Sequence, residues 1–149
     1  SEDGNQIIFH NYVNLAVAVG LEEGLIVPVV KHAEKMSLSE LVVAIKDLTA
    51  RTVSKKLLPD EQMGSTFTIS NLGMYGVSHF SAIINQPNAA ILSVAATVKK
   101  PVVINNEIVI RPMMNMSLTS DHRLIDGLVA AKFMTDLKAL IENPFSLLI

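Results

Sequence analysis

The sequence predicts an α/β domain in which β-strands are covered by two amphipathic helices. The chain has 149 residues, of which 50% are hydrophobic, and its mean hydropathy is +0.40. A chain of this length and composition can bury a sizeable core as one domain. Short segments with a two-residue alternation or a β-branched composition indicate strands, whereas residues 38–52 and 128–142 carry apolar residues at helical spacing.

Charge and residue usage exclude several classes of protein. The net charge of −2 and the isoelectric point near 6.0 give no electrostatic reason to expect a nucleic acid or an anionic membrane as partner. The absence of cysteine excludes a disulfide framework, a cysteine-ligated metal and a cysteine nucleophile, and it fits a reducing compartment. No apolar run reaches membrane-spanning length and no apolar signal segment opens the chain, so we expect a soluble protein.

Two strands are predicted near the start of the chain. Apolar residues alternate over residues 7–19, which predicts one long, half-buried strand. Residues 25–30 are short and β-branched, and Pro28 cannot donate to a ladder, so this strand should have an edge or a bulge at the proline. His10 and His32 lie near these strands without a second ligand type at metal spacing, and we interpret both as structural or solvent-facing.

A capped helix and a further strand follow. Ser37 and Glu40 have the spacing of a capping box, which predicts a helix over residues 38–52. Its apolar face is expected to cover a sheet, and it comprises Leu38, Leu41, Val42, Ile45 and Leu48. Pro59 should open a short helical turn. Alternation and β-branching over residues 66–70 predict the next strand.

The second half of the chain is predicted to contain a central strand, a hairpin and a second helix. Residues 88–96 are small and apolar throughout, as in a strand buried on both faces. Asn105-Asn106-Glu107 tolerates left-handed backbone angles, so we expect a hairpin over residues 102–110. A largely buried strand should follow at residues 113–118, and helical spacing resumes at 128–142.

The best candidate for chemistry is the polar segment 119–127, which lies between that strand and the second helix. His122 sits at the strand-to-helix junction, and a histidine there can take and return a proton near neutral pH. Asp126, four residues on, could fix the loop or begin the helix. Taken alone, the segment could also be a hydrogen-bonded turn in which Asp126 only caps the next helix. These alternatives remain open at this point.

A second candidate lies at the end of the 66–70 strand. Ser70 and Asn71 precede a loop with glycines at positions 73 and 76, which let the backbone pass close to a ligand. Taken alone, this pattern indicates a turn with a hydrogen bond from the asparagine side chain. Nothing around it resembles a nucleophile elbow or a phosphate-binding loop.

Four segments together resemble one known family. Residues 119–127, Thr-Ser-Asp-His-Arg-Leu-Ile-Asp-Gly, resemble the signature Asp-His-Arg-x-x-Asp-Gly of the dihydrolipoamide acyltransferases, the core components of 2-oxoacid dehydrogenase complexes. Residues 64–76, ending in Ile-Ser-Asn-Leu-Gly-Met-Tyr-Gly, resemble the family's second signature. Residues 84–87 resemble its Asn-Pro-Pro turn, and residues 24–29 its early strand. The resemblance covers nearly all of the chain, with the motifs in the family's order.

The resemblance implies a fold and an assembly. The family's catalytic domain is related to chloramphenicol acetyltransferase, so we expect that α/β fold, with a mixed sheet covered by helices and three chains forming a trimer. Residues 1–149 are then the C-terminal portion of a single acyltransferase catalytic domain, with no lipoyl domain and no peripheral-subunit-binding domain. In related enzymes the position of Asp126 pairs with an arginine from the N-terminal part of the domain. Here Arg111 or Arg123 would have to replace it, and without a replacement we expect most of the activity to be lost.

The resemblance also implies a reaction. The family moves an acyl group between a dihydrolipoyl thiol and the thiol of coenzyme A. His122 would be the general base, Ser70 the donor to the oxyanion, and Asp126 the residue that holds the histidine loop. Ser70 and Asn71 would border coenzyme A, and Ser70 and His122 would come from neighbouring chains. No metal is expected.

The finer expectations concern the acyl group, the partners and the location. Residues 72–76, Leu-Gly-Met-Tyr-Gly, resemble those of acetyl-transferring members. The implied partners are a homotrimer that assembles into a larger core, and the dehydrogenase and dihydrolipoamide dehydrogenase components, with the lipoyl group carried on a separate domain. The expected location is the bacterial cytoplasm or the mitochondrial matrix. Alternatives are a non-catalytic scaffold or inactive core fragment of such a complex, and a chloramphenicol acetyltransferase-like O-acetyltransferase.

Overall fold

A five-stranded mixed sheet with two α-helices forms the body of the computed structural model, which describes residues 5–148. The regular elements are, in chain order, β1 Leu15–Val17, β2 Val19–Leu21, β3 Gly24–Ile26, β4 Val29–Val30, α1 Leu38–Val53, β5 Phe67–Asn71, β6 Ala90–Ile104, β7 Glu107–Ser120 and α2 Gly127–Glu142. Short 3₁₀ turns lie at Ala33–Lys35, Pro59–Gln62, Gly73–Tyr75 and Pro144–Leu148.

The sheet combines parallel and antiparallel pairs. Its strand order is β4-β1-β5-β6-β7, and β2 pairs with β3 in a separate two-stranded ribbon. Strand β5 runs parallel to both β1 and β6, whereas β4 and β7 are antiparallel to their neighbours. Parallel neighbours begin at the same edge of a sheet, so the amino ends of β1, β5 and β6 lie together. The α/β class and the mixed sheet expected from the sequence are confirmed.

The long strand predicted over residues 7–19 is wrong. Among the described residues no strand begins before Leu15, and Phe9 is 86% exposed. Regular pairing extends only over Leu15–Val17, whose partners on β5 begin at Phe67. A period-two pattern forms a strand only where a neighbouring strand supplies hydrogen bonds. Strand β5 begins at Phe67, the partner of Leu15, so the residues before Leu15 have no strand of β5 beside them.

The chain around Pro28 forms two short strands instead of one, as expected for a residue that has no N–H to donate. The predicted 25–30 strand is two short strands, β3 and β4, separated by Val27 and Pro28. Strand β4 lies at the edge of the five-stranded sheet, where a residue without an N–H is tolerated. The nearby histidines are exposed, as expected, and His10 packs edge-on against Tyr12 at 5.1 Å between ring centroids.

Helix α1 begins at the predicted capping box. The Ser37 hydroxyl accepts from the Glu40 amide at 3.3 Å, and the Ser37 amide donates to the Glu40 carboxylate at 2.7 Å. The predicted apolar face is only partly right, because Leu38 and Val42 are exposed. The residues that pack on the core around Val30 are Leu41, Ala44, Ile45 and Leu48. The turn opened by Pro59 is present as well.

The hairpin of β6 and β7 is the longest feature of the sheet. Asn105 and Asn106 have φ of 50° and 67°, and Ile104 pairs with Glu107, so the predicted hairpin turn is confirmed. The first half of β6 is the predicted buried strand: Ala90, Ile91, Leu92, Ser93, Ala95 and Ala96 are buried.

The predicted burial of residues 113–118 is wrong in the single chain. Met113 is 41% exposed and Asn115 is exposed. Strand β5 pairs with β6 only as far as Val94, so beyond that point the sheet is two strands wide and lacks neighbours to cover it.

Helix α2 follows the polar loop and packs on the sheet through Phe133, whose ring lies 6.0 Å from that of Phe67 on β5. The predicted helix is therefore confirmed, and it ends at Glu142. Several of its apolar side chains stay exposed, namely Leu128, Val129, Leu140 and Ile141. None of the helices within residues 5–148 is both long and apolar enough to cross a membrane.

Candidate active site

Ser70 lies on β5, the central strand of the five-stranded sheet, and is positioned by the pairing of that strand. It lies near the carboxyl end of β5, is half-buried, and is the register partner of Ser93 on β6. Two residues earlier, Thr68 is 1% exposed and its hydroxyl accepts from the Asn88 amide group at 2.6 Å. Because both of these neighbours are buried, the position of the Ser70 backbone is determined by the core.

The turn after Ser70 uses the side chain of Asn71. Its carboxamide oxygen accepts from the Gly73 amide at 2.8 Å, so the side-chain-bonded turn suggested by the sequence is present. A Cβ at Gly73 would lie 2.9 Å from the carbonyl oxygen of Ala95, so no larger residue fits without a shift of the backbone. Gly76 has φ of 74° in the left-handed region. The first glycine is therefore explained by close approach to β6 and the second by backbone conformation.

His122 lies in the tight turn between β7 and α2, and it is exposed. The carbonyl of Asp121 accepts from the amides of Leu124 and Ile125 at 3.0 and 2.9 Å, and its own amide donates to the Ala89 carbonyl at 2.8 Å. Three backbone hydrogen bonds to one residue therefore fix the turn, while the imidazole stays open to solvent.

Two carboxylates hold the ends of the histidine turn. Asp121 binds the Arg123 guanidinium, with a shortest contact of 2.6 Å, and also accepts from the Arg123 amide. The Arg123 guanidinium, together with that amide, lowers the pKa of Asp121 to about 2. Asp126 accepts from the Val129 amide at 2.9 Å and is the N-cap of α2.

Neither arginine expected near Asp126 pairs with it. Arg123 binds Asp121 instead, and the Arg111 guanidinium donates to the carbonyl of its neighbour Ile110 at 3.0 Å. The local replacement for the family's arginine is therefore not formed by these two residues. What Asp126 does in the described chain is to begin the helix that follows His122.

Ser70 and His122 do not meet within one chain. Ser70 is two strand spacings from Ser117, its row partner on β7, and Ser120 is three residues further along. With about 4.8 Å between strands and about 3.3 Å per residue, the Cα atoms of Ser70 and Ser120 are about 14 Å apart. His122 lies beyond Ser120, at the amino end of β6. Both groups must be within about 3 Å of the reacting atoms, so one chain alone cannot hold them on one substrate.

Two cavities in the described part of the chain lie away from both residues. A cavity of about 400 Å³ is lined by Tyr12, Asn14 and His32 among others, and a second by Glu23 and Lys55 among others. Neither lining includes Ser70 or His122. Among residues 5–148, no group of three or more histidine or acidic residues is placed to hold a metal ion.

Sequence reasoning missed the polar side chains that surround Ser70. The buried pair of Thr68 and Asn88 and the buried Ser93 carry no motif. The available signal was the presence of small polar residues within strands that are otherwise apolar, since a buried polar side chain must find a partner.

A family model for the 2-oxoacid dehydrogenases acyltransferase catalytic domain matches residues 1–149. A curated relative, the dihydrolipoyllysine-residue acetyltransferase component of the pyruvate dehydrogenase complex of Rickettsia prowazekii, is 45% identical over all 149 residues. The chain spans 36% of the length of that relative.

Solved structures are similar over the whole chain. A crystal structure of the Azotobacter vinelandii dihydrolipoamide acetyltransferase, which addressed the catalytic roles of a serine, a histidine and an asparagine, has a TM-score of 0.94 and 36% identity. The cubic core of the pyruvate dehydrogenase multienzyme complex has the same TM-score and identity. In both cases the match covers 100% of this chain and 61% of the other.

These likenesses confirm the fold class that the sequence motifs implied, the chloramphenicol acetyltransferase-like α/β fold. The family model and the Azotobacter vinelandii structure each match the chain over its full length, a range that includes the Asp-His-Arg turn and the strand that carries Ser70. The chain belongs to the family of 2-oxoacid dehydrogenase acyltransferases, in its catalytic domain.

Proposed function

We propose that this chain is part of an acyltransferase that moves an acetyl group between a dihydrolipoyl group and coenzyme A. The observation that carries the proposal is a shared spacing. In the Azotobacter vinelandii enzyme, the serine, histidine and asparagine studied for their catalytic roles are separated by 52 and 4 positions. Ser70, His122 and Asp126 are separated by the same 52 and 4 positions.

His122 acts as the general base. A neutral thiol is a poor nucleophile near pH 7, so transfer requires removal of the proton from the coenzyme A sulfur as it attacks the acyl-dihydrolipoyl thioester. The same imidazole then returns the proton to the departing dihydrolipoyl sulfur. Such acid–base catalysis contributes about 10²–10⁴ in rate. The exposure of His122 at the tip of a fixed turn supports this role, because substrate can reach the imidazole.

Ser70 stabilises the negative oxygen that forms when one thiol attacks the thioester of the other. A hydroxyl donor aimed at that oxygen contributes on the order of 10²–10³ in turnover. Ser70 fits a donor role because its strand is held in the core, so the hydroxyl needs little reorganisation as charge develops. Asn71 and Ser70 together border the coenzyme A thiol.

The site forms between subunits of a trimer. Ser70 and His122 lie towards opposite ends of the sheet in one chain, so a second chain must supply the partner residue. Apolar side chains exposed on α2 and on the β6–β7 hairpin support burial against other subunits. The similarity of the chain to the cubic core of the pyruvate dehydrogenase multienzyme complex supports a larger core built from such trimers.

Asp126 fixes the position of the turn that carries His122, because it caps the helix α2 that begins at the end of this turn. The related enzyme has asparagine at the position four residues after its histidine. Aspartate and asparagine are comparable N-caps, since each offers a side-chain oxygen to the free amides of the first turn. A shared capping role is therefore compatible with the difference in charge.

The substrates and partners follow from the reaction. Coenzyme A is a substrate, and the second acyl carrier is a lipoyl group on a separate domain. The dehydrogenase and dihydrolipoamide dehydrogenase components of a pyruvate dehydrogenase complex supply and regenerate that carrier. No metal takes part, and the compartment is the bacterial cytoplasm or the mitochondrial matrix. The similarity of residues 72–76 to acetyl-transferring members and the name of the Rickettsia relative support the acetyl assignment.

The test is an acyl-transfer assay on the full-length protein. Acetyl-coenzyme A and dihydrolipoamide should give acetyl-dihydrolipoamide and free coenzyme A, and the His122→Ala variant should react at least about 100-fold more slowly. Faster transfer from succinyl-coenzyme A would overturn the acetyl assignment, and acetylation of a chloramphenicol hydroxyl instead of the thiol would overturn the thiol reaction. An assembled, folded protein without any transfer would identify a scaffold.

A further inference from the structure

Asn88 lies between the strand that carries Ser70 and the histidine turn. Its carboxamide nitrogen donates to the hydroxyl oxygen of Thr68 at 2.6 Å, two residues before Ser70 on β5. The carbonyl of the next residue, Ala89, accepts from the amide of Asp121 at 2.8 Å, one residue before the histidine. These two consecutive residues therefore join the two parts of the chain that carry the proposed catalytic groups.

The contact of Asn88 with β5 is made inside the core. Asn88 is 5% exposed and Thr68 is 1% exposed. The Asn88 amide also donates to the Asn85 carbonyl at 3.0 Å, so the chain enters β6 from a hydrogen-bonded turn. A hydrogen bond at low local dielectric is stronger than the same bond in water. The position of Asn88 relative to β5 is therefore well determined.

The polar pair of Asn88 and Thr68 is not needed for stability. No donor among the residues that the structure describes reaches the Oδ1 atom of Asn88. A buried acceptor without a partner costs stability, whereas two apolar side chains of the same shape can replace a hydrogen-bonded pair with little or no loss. What the polar pair adds is direction, because a hydrogen bond fixes the relative orientation of its two groups.

We propose that Asn88 is a positioning residue that holds the Ser70 strand and the histidine turn in a fixed relation. The inference rests on the proposed catalytic roles of Ser70 and His122. A misplacement of about 1 Å can cost about 10²-fold in rate, so a looser link would lower turnover although the substrates still bind. In the proposed trimer the two groups of one chain serve different sites, and both sites depend on this link.

The test compares stability with turnover in the full-length protein, with acetyl transfer to dihydrolipoamide as the reaction. Thr68→Val keeps the shape but leaves the Asn88 carboxamide unpaired, so it should lower the melting temperature. It should also lower kcat about three- to tenfold with KM unchanged, the size expected for one neutral hydrogen bond. Adding Asn88→Leu removes the unpaired carboxamide and should restore the melting temperature while kcat stays low. Thr68→Ser keeps the hydroxyl and should retain most of the rate.

Thr52→Val is the matched control. Thr52 is 0% exposed, and its hydroxyl donates to the Leu48 carbonyl at 2.7 Å within α1. Because this bond contacts neither β5 nor the histidine turn, the substitution should lower stability and leave kcat unchanged.

Two results would overturn the positioning role. One is a kcat that recovers together with the melting temperature in the variant that combines Thr68→Val with Asn88→Leu. The other is an unchanged kcat in Thr68→Val, as in Thr52→Val, and this comparison decides if the double variant does not fold. A normal rate in His122→Ala would instead overturn the proposed function, whatever the result at Thr68.

Discussion

Ser70 and His122 are held in the molecule by different means. Ser70 belongs to a strand with paired neighbours on both sides, next to side chains that are 1% exposed. His122 belongs to an exposed turn fixed by a few polar contacts from Asp121 and Asp126. The core thus sets the position of the proposed oxyanion donor, whereas local hydrogen bonds set that of the proposed base. Substitutions near Ser70 should affect folding and turnover together, and substitutions near His122 should separate them.

Removing the imidazole should have the largest effect on the rate of acyl transfer, and it should lower that rate with little change in thermal stability. We expect His122→Ala to lower the rate of acyl transfer at least about 100-fold, because the thiol loses its general base. Thermal stability should change little, since backbone hydrogen bonds of Asp121 fix the turn and the imidazole does not. Steady-state kinetics and the melting temperature measured on one preparation check both statements. A variant that keeps more than a tenth of the wild-type rate would exclude His122 as the base.

Removing the Ser70 hydroxyl should reduce turnover by a similar or smaller factor. We expect Ser70→Ala to lower kcat by about 10²–10³ with little change in KM, because the hydrogen bond is made chiefly in the transition state. In contrast to His122→Ala, a small change in stability should accompany the loss, since Ser70 is half-buried. An effect confined to KM would make Ser70 a substrate-binding residue instead.

The helix cap should have an intermediate effect on the histidine turn. Asp126→Ala removes the acceptor of the Val129 amide, and the loss of such a cap costs about 0.5–2 kcal/mol. Because the turn ends at this cap, acyl transfer should fall as well. Asp126→Asn is the matched control, since it keeps the side-chain oxygen, and it should retain most of the stability. If both variants lose activity equally while only the alanine variant loses stability, the charge of Asp126 matters beyond capping.

The elements that could be predicted from the sequence are those determined locally. Ser37 with Glu40, and Asn105 with Asn106, specify a cap and a turn through contacts within four residues. Asp126 likewise has its partner three residues away. Such contacts need no knowledge of the rest of the fold, so the motif alone predicts them.

The failures concern features that depend on distant neighbours. Residues 7–19 alternate correctly but have pairing partners only from Leu15 onwards. On α1 the helical spacing is right, yet the face that meets the core is rotated so that Ala44 replaces Leu38 and Val42. The hydrogen bond from the Ala82 amide to Ser93 depends on the path of the chain over residues 77–82, which no local pattern encodes.

The smallest expected effect concerns the ion pair that flanks His122. Arg123 lowers the pKa of Asp121 to about 2, from an ordinary value near 3.8. A carboxyl with a lowered pKa stabilises the fold above its ordinary pKa, and this contribution is lost as the pH falls through the folded value. The pair should therefore persist at neutral pH and break between about pH 4 and pH 2.

This break can be followed through the Arg123 Nε–H resonance, since that group donates to Asp121 at 3.0 Å. The resonance should titrate with a midpoint near the pKa of about 2 given for Asp121, and Asp121→Asn should abolish the titration. The three backbone hydrogen bonds of Asp121 do not involve its carboxylate, so the turn should loosen without unfolding, and the rate at neutral pH should change little in the variant. A midpoint near 3.8, the ordinary value, would show that Arg123 does not bind Asp121 in solution. The turn would then depend on its backbone hydrogen bonds and the Asp126 cap alone.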